Sequence, residues 1–413
     1  MSANGKPRTA WLDEVAQHLQ AVSSSAGETL HAGLRRLGEL RQQTGSHVDT
    51  YRGMVAADGS CTLAGRVLAR PLASEPGVHD DWWDNLLHSY RRFDSESIAG
   101  ASVDVSFRGH TVTVVSDAEG YYAAAMPAGD AAARGMWEVA EVRRSEGGPV
   151  FLQDVLCVPP TASFGLVSDI DDTVLVGNGS HWQSAVQLTL LRNARTRKPL
   201  EGAGELYQAF QNGPDGSGQN PVFYVSASPW NVYDMLVDFM SLNGLPPGPI
   251  ALRDIDLDRA SLLNQAGPRG KLAKIHEIIA RFPALKFVLV GDSVQIDAEL
   301  YAQTVAKFPG RILAIYIRDA DPAHDSARDR FVDAHIQAVA GSKVPMLRVA
   351  DSNAIAAHAR TLGLIAPETV AVVARDVQRD HQTPTATQAV AEGLAKAPAA
   401  VSNALHADPD PHG

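Results

Sequence analysis

Apolar residues near the start of the chain recur at intervals of three and four positions. Two such series occur: Trp11, Val15, Leu19 and Val22, then Leu30, Leu34, Leu37 and Leu40. This spacing predicts two amphipathic helices, separated by "VSSSAGET", within an N-terminal helical segment over residues 1–48. We expect their apolar faces to pack against the protein itself, with membrane binding as the alternative.

The pattern then changes to short runs in which apolar and polar residues alternate. Five runs are bounded by Gly, Pro or Asp: "ASVDVSFRG", "HTVTVVSD", "GYYAAAMP", "MWEVAEVRR" and "PVFLQDVLCVP". A period of two is typical of strands with one buried face, and "DAEG" at 117–120 indicates a hairpin turn. Residues 49–160 are therefore predicted to form a small all-β, sandwich-like domain.

From residue 161 to 365, apolar strands alternate with amphipathic helices. The strand candidates are "FGLVSD", "PVFYVSAS", "KFVLVGDS", "RILAIYIRD" and "PMLRVAD". Helical patterns occur at 181–195, 202–212, 229–243, 271–282, 297–307, 327–339 and 352–362. This alternation predicts an α/β domain with a doubly wound parallel sheet, whose ligand site lies at the carboxyl ends of the strands.

The last part of the chain, residues 366–413, differs from the rest in composition. It is rich in Ala, Pro and Thr and contains no aromatic residue. Such a segment buries too little apolar surface to offset the entropy of ordering, so we expect a mostly disordered tail with one transient helix.

Composition and charge narrow the classes of protein. The length of 413 residues supports several domains. The net charge of −11 argues against nucleic acid as a partner, because phosphate binding depends on Lys and Arg. Cys61 and Cys157 are the only cysteines, which favours a reducing compartment. Since the sequence shows neither an apolar signal core nor a membrane-length apolar run, we expect a cytoplasmic protein, with peripheral membrane contact as an extension.

Polar residues whose side chains could act in catalysis or bind a metal follow the predicted strands. The run "FGLVSDIDDTVLVGNG" places Asp169, Asp171 and Asp172 directly after an apolar strand. Carboxylates this close raise each other's pKa unless a cation or a chemical task holds them together, although a polar turn that caps the strand is the alternative. Later strand ends and a helix start supply Ser226, Lys271, Asp292 and Asp297.

In this order and these contexts, the DxDxT, Ser, Lys and GDxxxxD series resembles the haloacid dehalogenase (HAD) superfamily of phosphotransferases. The resemblance implies that Asp169 is the nucleophile, which forms an aspartyl-phosphate, and that Asp171 is the general acid and base. Thr173, Ser226 and Lys271 would bind the phosphate, and Lys271 would also supply positive charge for catalysis. Mg²⁺ would be held by Asp169, the backbone carbonyl of Asp171, and Asp292.

Each of the later assignments has a plainer alternative. Ser226 could cap the helix that starts near Pro229, a role for which Ser228 is better placed. Lys274 lies one turn after Lys271 and competes with it, but the position of Lys271 at the helix start favours phosphate binding. Asp297 is the weakest assignment, because it could ligate through water, cap the following helix or simply be solvated.

Longer stretches resemble one branch of this superfamily. "SDIDDTV", "YVSASPWNVYDML", "KLAKIHEIIARFPALKFVLVGDSVQIDAELY" and "RILAIYIRD" are similar to the actin-patch-type phosphatidate phosphatases and their bacterial relatives, which are related to the lipin catalytic domain. The similarity covers roughly residues 160–320. It implies Mg²⁺-dependent dephosphorylation of phosphatidate to diacylglycerol. Gly and Pro of many relatives are replaced by Val294 and Ala298, positions that supply no catalytic group.

The spacing of the motifs leaves little room for a large cap domain. Between Thr173 and Ser226 lie 52 residues, and between Ser226 and Lys271 lie 44. An open site favours a bulky phosphate-bearing partner, such as a lipid surface or a phosphoprotein, over a sequestered metabolite. Trp182 and Trp230 could line its rim, although core positions are the alternative. A basic cluster could meet an anionic lipid or complement a helix dipole: Arg192, Arg195, Arg197 and Lys198.

Three functions therefore remain in competition. The first is a phosphatidate phosphatase, and the second is a HAD phosphatase for a phosphoprotein or a soluble phosphomonoester. The third is a module that senses phosphatidate without turnover, which the presence of both Asp169 and Asp171 argues against.

Overall fold

The structure is a computed structural model that describes most of the two predicted domains. Described are residues 47–69, 97–129, 135–170, 201–230, 233–253, 268–293, 296–319 and 327–382. The predicted N-terminal helices and the helix predicted at 181–195 lie outside the described residues. None of the helices in the described ranges is both long and apolar enough to cross a membrane.

The first part of the described chain is entirely β. Its strands are β1 (His47–Val55), β2 (Ser60–Leu68), β3 (Ser102–Phe107), β4 (His110–Val115), β5 (Tyr121–Pro127), β6 (Trp137–Arg144) and β7 (Phe151–Cys157). The strand order is β4-β3-β6-β7-β1-β2-β5, and neighbours are antiparallel except β1 and β7. All five predicted runs form strands, β3 to β7, and the pattern missed β1 and β2.

These strands form one hydrogen-bonded sheet, whereas a sandwich consists of two. The strands at the two ends of the order, β4 and β5, contact each other, so the sheet curls around a single core. The alternation explains which face is inside: Val103, Val105 and Phe107 of β3 are buried, while the residues between them are partly exposed. Because side chains alternate between the two faces of a strand, every second residue of β3 lies in the core.

A second sheet is entirely parallel. Its strands are β8 (Phe164–Asp169), β9 (Val222–Pro229), β10 (Ile250–Arg253), β11 (Lys286–Asp292), β12 (Ile312–Arg318) and β13 (Met346–Val349), in the order β10-β9-β8-β11-β12-β13. The five predicted strands are confirmed, and the short β10 is an addition. The described chain is thus a mixed α/β protein with two sheets, one of them parallel.

Helices cover both faces of the parallel sheet. They are α1 (Ala203–Asn212), α2 (Tyr233–Leu242), α3 (Pro268–Arg281), α4 (Asp297–Lys307), α5 (Ala327–Val339), α6 (Ser352–Thr361) and α7 (Thr369–Gln382). One apolar cluster joins the sheet to α1, α2, α6 and α7, and a second joins it to α3, α4 and α5. Adjacent strand residues serve opposite faces, as with Leu166 in the first cluster and Val167 in the second.

Helix α7 differs from the predicted disordered tail. Val373 and Val377, four residues apart, are buried in the first apolar cluster, and α7 contacts α1 and α6. One helix was expected in this tail, and the structure differs in that the helix over residues 369–382 is packed and not transient, because one apolar stripe suffices to bind it to the domain. The rest of the predicted tail, 383–413, lies outside the described residues.

The two sheets are joined by aromatic packing. Tyr51 of β1 stacks on Trp230, with ring centroids 4.9 Å apart, and also contacts Tyr233. The backbone N–H of Arg52 donates to the Tyr233 hydroxyl at 2.7 Å. Trp230 thus has the packing role that was one of its two interpretations, and it also lies at the carboxyl edge of the sheet, directly after β9.

Candidate active site

The carboxyl ends of three neighbouring strands bring the candidate residues together. Asp169 ends β8 and Asp292 ends β11, and the two strands pair in parallel with Val290 opposite Ser168. On the other side of β8, Asp169 lies opposite Val225 of β9, directly before the buried Ser226. Because parallel strands end at the same edge of a sheet, residues far apart in sequence meet there.

Lys271 lies in the first turn of α3 and reaches this edge. Its Nζ is 2.9 Å from Oδ2 of Asp169 and 2.6 Å from Oδ1 of Asp297. Only 3% of the Lys271 side chain is exposed. Of the two lysines weighed as the phosphate-binding group, Lys271 thus forms ion pairs with Asp169 and Asp297.

Asp297 is the first residue of α4 and is completely buried. Its Oδ1 accepts from Lys271, and its Oδ2 accepts the backbone N–H of Asp292 at 3.1 Å. Gly291 makes room for it, because a Cβ at that position would lie 2.4 Å from Oδ2 of Asp297. Asp297 is therefore neither solvated nor a peripheral cap, and the sequence analysis gave it too little weight.

The three acids form a compact oxygen-rich cluster. One carboxylate oxygen from each of Asp169, Asp292 and Asp297 lies within 4.8 Å of the others. Among the described residues, the ammonium group of Lys271 contacts two of these acids, Asp169 and Asp297. Divalent cations that prefer oxygen ligands fit this donor set.

Burial and neighbouring charges both shift the pKa values of Asp297 and Lys271. Burial raises the pKa of Asp297 well above its ordinary value, and the Asp169 carboxylate raises it further while Lys271 opposes the shift. Burial alone would lower the pKa of Lys271, but Asp169 and Asp297 outweigh burial and raise it. Lys271 therefore remains a cation, which keeps a fixed positive charge beside Asp169.

A tyrosine supports the strand end from the opposite side. The Ser168 hydroxyl donates to the backbone carbonyl of Asp169 at 2.8 Å, and the Tyr207 hydroxyl lies 2.7 Å from Ser168 Oγ. Since a serine hydroxyl has one proton, Tyr207 is the donor in the second bond. Burial raises the pKa of Tyr207 to about 12, so it keeps the proton that it donates. The strand pattern in the sequence carries no signal for this pair.

The predicted site residues fall into two groups. Asp169, Lys271 and Asp292 lie together, and Ser226 is buried at the neighbouring strand end. Predicted residues outside the described ranges are Asp171, Thr173, Trp182, Arg192, Arg195, Arg197 and Lys198.

Comparison with known proteins identifies the segment that carries this cluster. Residues 164–319 match the family model described as "Phosphatidate phosphatase APP1, catalytic domain". The resemblance to the actin-patch-type phosphatidate phosphatase family is confirmed for this segment. It begins at the first residue of β8 and ends directly after β12, so it contains Asp169, Lys271, Asp292 and Asp297.

Two yeast proteins are also similar to part of this chain. Phosphatidate phosphatase APP1 of Saccharomyces cerevisiae is 33% identical over 168 residues, which cover 39% of this chain and 28% of the yeast protein. An uncharacterised protein of Schizosaccharomyces pombe is 30% identical over 155 residues, or 37% of this chain and 25% of that protein. The chain thus spans less than a third of each of these relatives.

A solved structure also shows a weak overall likeness. It is the crystal structure of a carbohydrate acetylesterase from Xanthomonas citri, at a TM-score of 0.27 and 15% identity, covering 78% of this chain and 71% of that one. A likeness at this level carries no argument about fold or activity.

Proposed function

We propose that the protein is a phosphatidate phosphatase, which hydrolyses phosphatidate to diacylglycerol and phosphate. The observation that carries this proposal is the position of Asp169, at a strand end beside Lys271, within the segment that matches the APP1 catalytic domain. A carboxylate next to a fixed cation is what attack on a phosphate monoester needs, because the cation shields the phosphate oxygens from the nucleophile.

The proposed architecture is a HAD-type domain with a doubly wound sheet over residues 161–365, preceded by the all-β domain at 49–160 and the helical segment at 1–48. The parallel order β10-β9-β8-β11-β12-β13 supports it, because the nucleophile-bearing β8 is central and helices flank both faces. A central strand end is enclosed by its neighbours, which suits a site built from several strands.

The proposed reaction has two displacements at phosphorus. Asp169 attacks the phosphate, an aspartyl-phosphate forms, and the bond to the diacylglycerol oxygen breaks while Asp171 protonates that oxygen. Asp171 then takes a proton from water, which attacks the phosphorus, releases phosphate and restores the Asp169 carboxylate. The Tyr207–Ser168 hydrogen bonds support this scheme, because they fix the backbone that carries the nucleophile.

Ser226, Thr173 and Lys271 are the proposed phosphate-binding groups. Ser226 follows the residue paired with Asp169, so a phosphate on Asp169 would come within reach of this strand end. The Lys271 ammonium bridges the carboxylates of Asp169 and Asp297. It can exchange one of these contacts for a phosphate oxygen without losing its charge.

We propose Mg²⁺ as the cofactor, held by Asp169, Asp292 and the backbone carbonyl of Asp171, with Asp297 as a further acid in the cluster. The donor set supports this, since it consists of carboxylate oxygens that lie within 4.8 Å of one another, and Mg²⁺ prefers hard oxygen ligands. When bound, the ion would neutralise charge on the phosphate oxygens. A cytoplasmic location with peripheral contact at a membrane surface is part of the same proposal, and nucleic acid is not a proposed partner.

The experiment that tests this function compares substrates. Phosphate release from phosphatidate in mixed micelles is measured beside a panel of soluble phosphomonoesters and a phosphopeptide, each with Mg²⁺. The proposal expects kcat/KM for phosphatidate to exceed that of every soluble substrate by at least tenfold. A soluble ester or the phosphopeptide as the best substrate would favour the second function, a HAD phosphatase of other specificity.

A further inference from the structure

A cavity of about 580 Å³ lies between the two sheets, away from the carboxylate cluster. One side is the outer face of β2 and β5, and the other side is formed by α3 and the edge strand β10. The stacked pair of Tyr51 and Trp230 closes one end. The cavity is therefore built by both domains and exists only when they pack together.

The floor of the cavity carries several small side chains. Thr62 pairs with Ala125 and Ala64 pairs with Ala123 across β2 and β5, so four small side chains form the outward rows. The residues between them, such as Leu63, point into the core of the curled sheet instead. Because these four side chains are small, the cavity keeps its space along this part of the strands, and Tyr121, the next residue in the same row of β5, lines it further along.

The opposite wall connects the cavity to the site. Helix α3 supplies Lys271 to the carboxylate cluster and, one turn later, Lys274 to the cavity. The same wall continues through Ile278 to Arg281, which donates to Glu277 at 2.8 Å. The distance from Lys274 to Arg281 along the helix is roughly 10 Å, at about 1.5 Å per residue.

The aromatic end of the cavity lies on the same side of the sheet as the nucleophile. Trp230 directly follows Pro229, the last residue of β9, and so belongs to the carboxyl edge at which Asp169 lies. A ligand whose phosphate is at Asp169 could therefore extend past Trp230 and along α3. The cavity offers this ligand room for an elongated apolar group, and its charged lining residues balance in number: Arg52, Lys274 and Arg281 against Asp117, Glu119 and Glu277.

We propose that this interdomain cavity binds an acyl chain of the phospholipid substrate. The proposal rests on the proposed function for its substrate, and it adds a role for the all-β domain, which supplies the floor. Aromatic and aliphatic walls remove methylene groups from water, which is favourable in proportion to the apolar area that is buried.

The test measures binding without turnover. Dioctanoyl phosphatidate, below its micellar concentration, and glycerol 3-phosphate are titrated into the full chain by calorimetry with chelator present. Ala123→Trp and Ala125→Trp fill the floor, and both positions are exposed, so the fold should tolerate them. Val139→Trp is the matched control, because Val139 is exposed on β6 and does not line the cavity.

Dioctanoyl phosphatidate should bind at least tenfold more tightly than glycerol 3-phosphate. Each floor variant should weaken binding of the lipid at least tenfold and leave binding of glycerol 3-phosphate unchanged, while Val139→Trp changes neither. Equal binding of the two ligands to the wild type, or unchanged lipid binding in both floor variants, would overturn the proposal. Phosphate release is measured separately, so lipid that binds as expected without being hydrolysed would refute the proposed function alone.

Discussion

The ammonium group of Lys271 lies 2.6 Å from Oδ1 of Asp297, and both side chains are almost completely buried. The same Nζ also contacts Asp169, so one buried cation serves two buried acids. A buried charge without a partner is costly, which makes this contact as important for folding as for the chemistry.

Replacing Lys271 with Met should therefore destabilise the protein as well as abolish turnover. The variant keeps a similar volume but leaves Asp169 and Asp297 facing each other, and loss of one partner from a buried pair costs about 3–5 kcal/mol. Urea unfolding gives the free energy of unfolding. Lys274→Met, one turn further along α3, is the control and should lose less than about 1 kcal/mol. A Lys271→Met protein as stable as the control would mean that the pair is not buried as described.

Gly291 provides a second test of the position of Asp297. Gly291→Ala would place a Cβ 2.4 Å from Oδ2 and 2.8 Å from Cβ of Asp297, so the aspartate must move. We expect a loss of about 1–3 kcal/mol in the free energy of unfolding and a fall of at least tenfold in phosphate release. Gly341→Ala is the control, because a Cβ there meets nothing within 4 Å. Wild-type activity in Gly291→Ala would show that the placement of Asp297 is unimportant.

The carboxylate cluster predicts stabilisation by Mg²⁺. A ligand that binds only the folded state raises the unfolding temperature, by mass action, as its concentration rises. Asp292→Asn and Asp297→Asn should each reduce this increase strongly. Glu299→Gln, two residues beyond Asp297 on α4, should keep it. The measurement is thermal unfolding across a series of Mg²⁺ concentrations, and an Mg²⁺ response that is unchanged in both Asp variants would reject the site.

Tyr207 should influence catalysis without touching the substrate. Tyr207→Phe removes the donor to Ser168, which costs about 1 kcal/mol in stability and loosens the strand end that carries Asp169. Tyr316→Phe is the matched control. Tyr316 belongs to the same apolar cluster as Tyr207, and its hydroxyl forms a hydrogen bond with His358. Both variants should lose similar stability, but only Tyr207→Phe should lower kcat several-fold. Equal kcat values in the two variants would show that Tyr207 does not position Asp169 for catalysis.

The sequence predicted the parallel sheet well because its strands are long apolar runs. Strand β10, "IALR", was not predicted, although β13 is equally short and was predicted within the run "PMLRVAD". Strand β1 was missed because its register shifts between Tyr51 and Met54, which interrupts the alternation of buried and exposed residues. Helix α7 was misjudged because composition outweighed the spacing of Val373 and Val377.

The sequence motifs predicted most of the residues of the candidate site but not the role of Asp297. Asp169, Lys271 and Asp292 follow from residue types at strand ends and at a helix start. The role of Asp297 could not be predicted in the same way, because an acid at a helix N-terminus is usually exposed. Its burial depends on Lys271, 26 residues earlier in the sequence, and on the missing side chain at Gly291. Such contacts arise from the tertiary fold alone.

The central claim is that Asp169 is the nucleophile of a phosphatidate phosphatase. The most direct measurement is phosphate release from phosphatidate in mixed micelles by the wild type and by Asp169→Asn, with unfolding curves to verify that the variant is folded. The account predicts Mg²⁺-dependent release by the wild type and none above background in the variant. Release by folded Asp169→Asn at a rate near that of the wild type would contradict it.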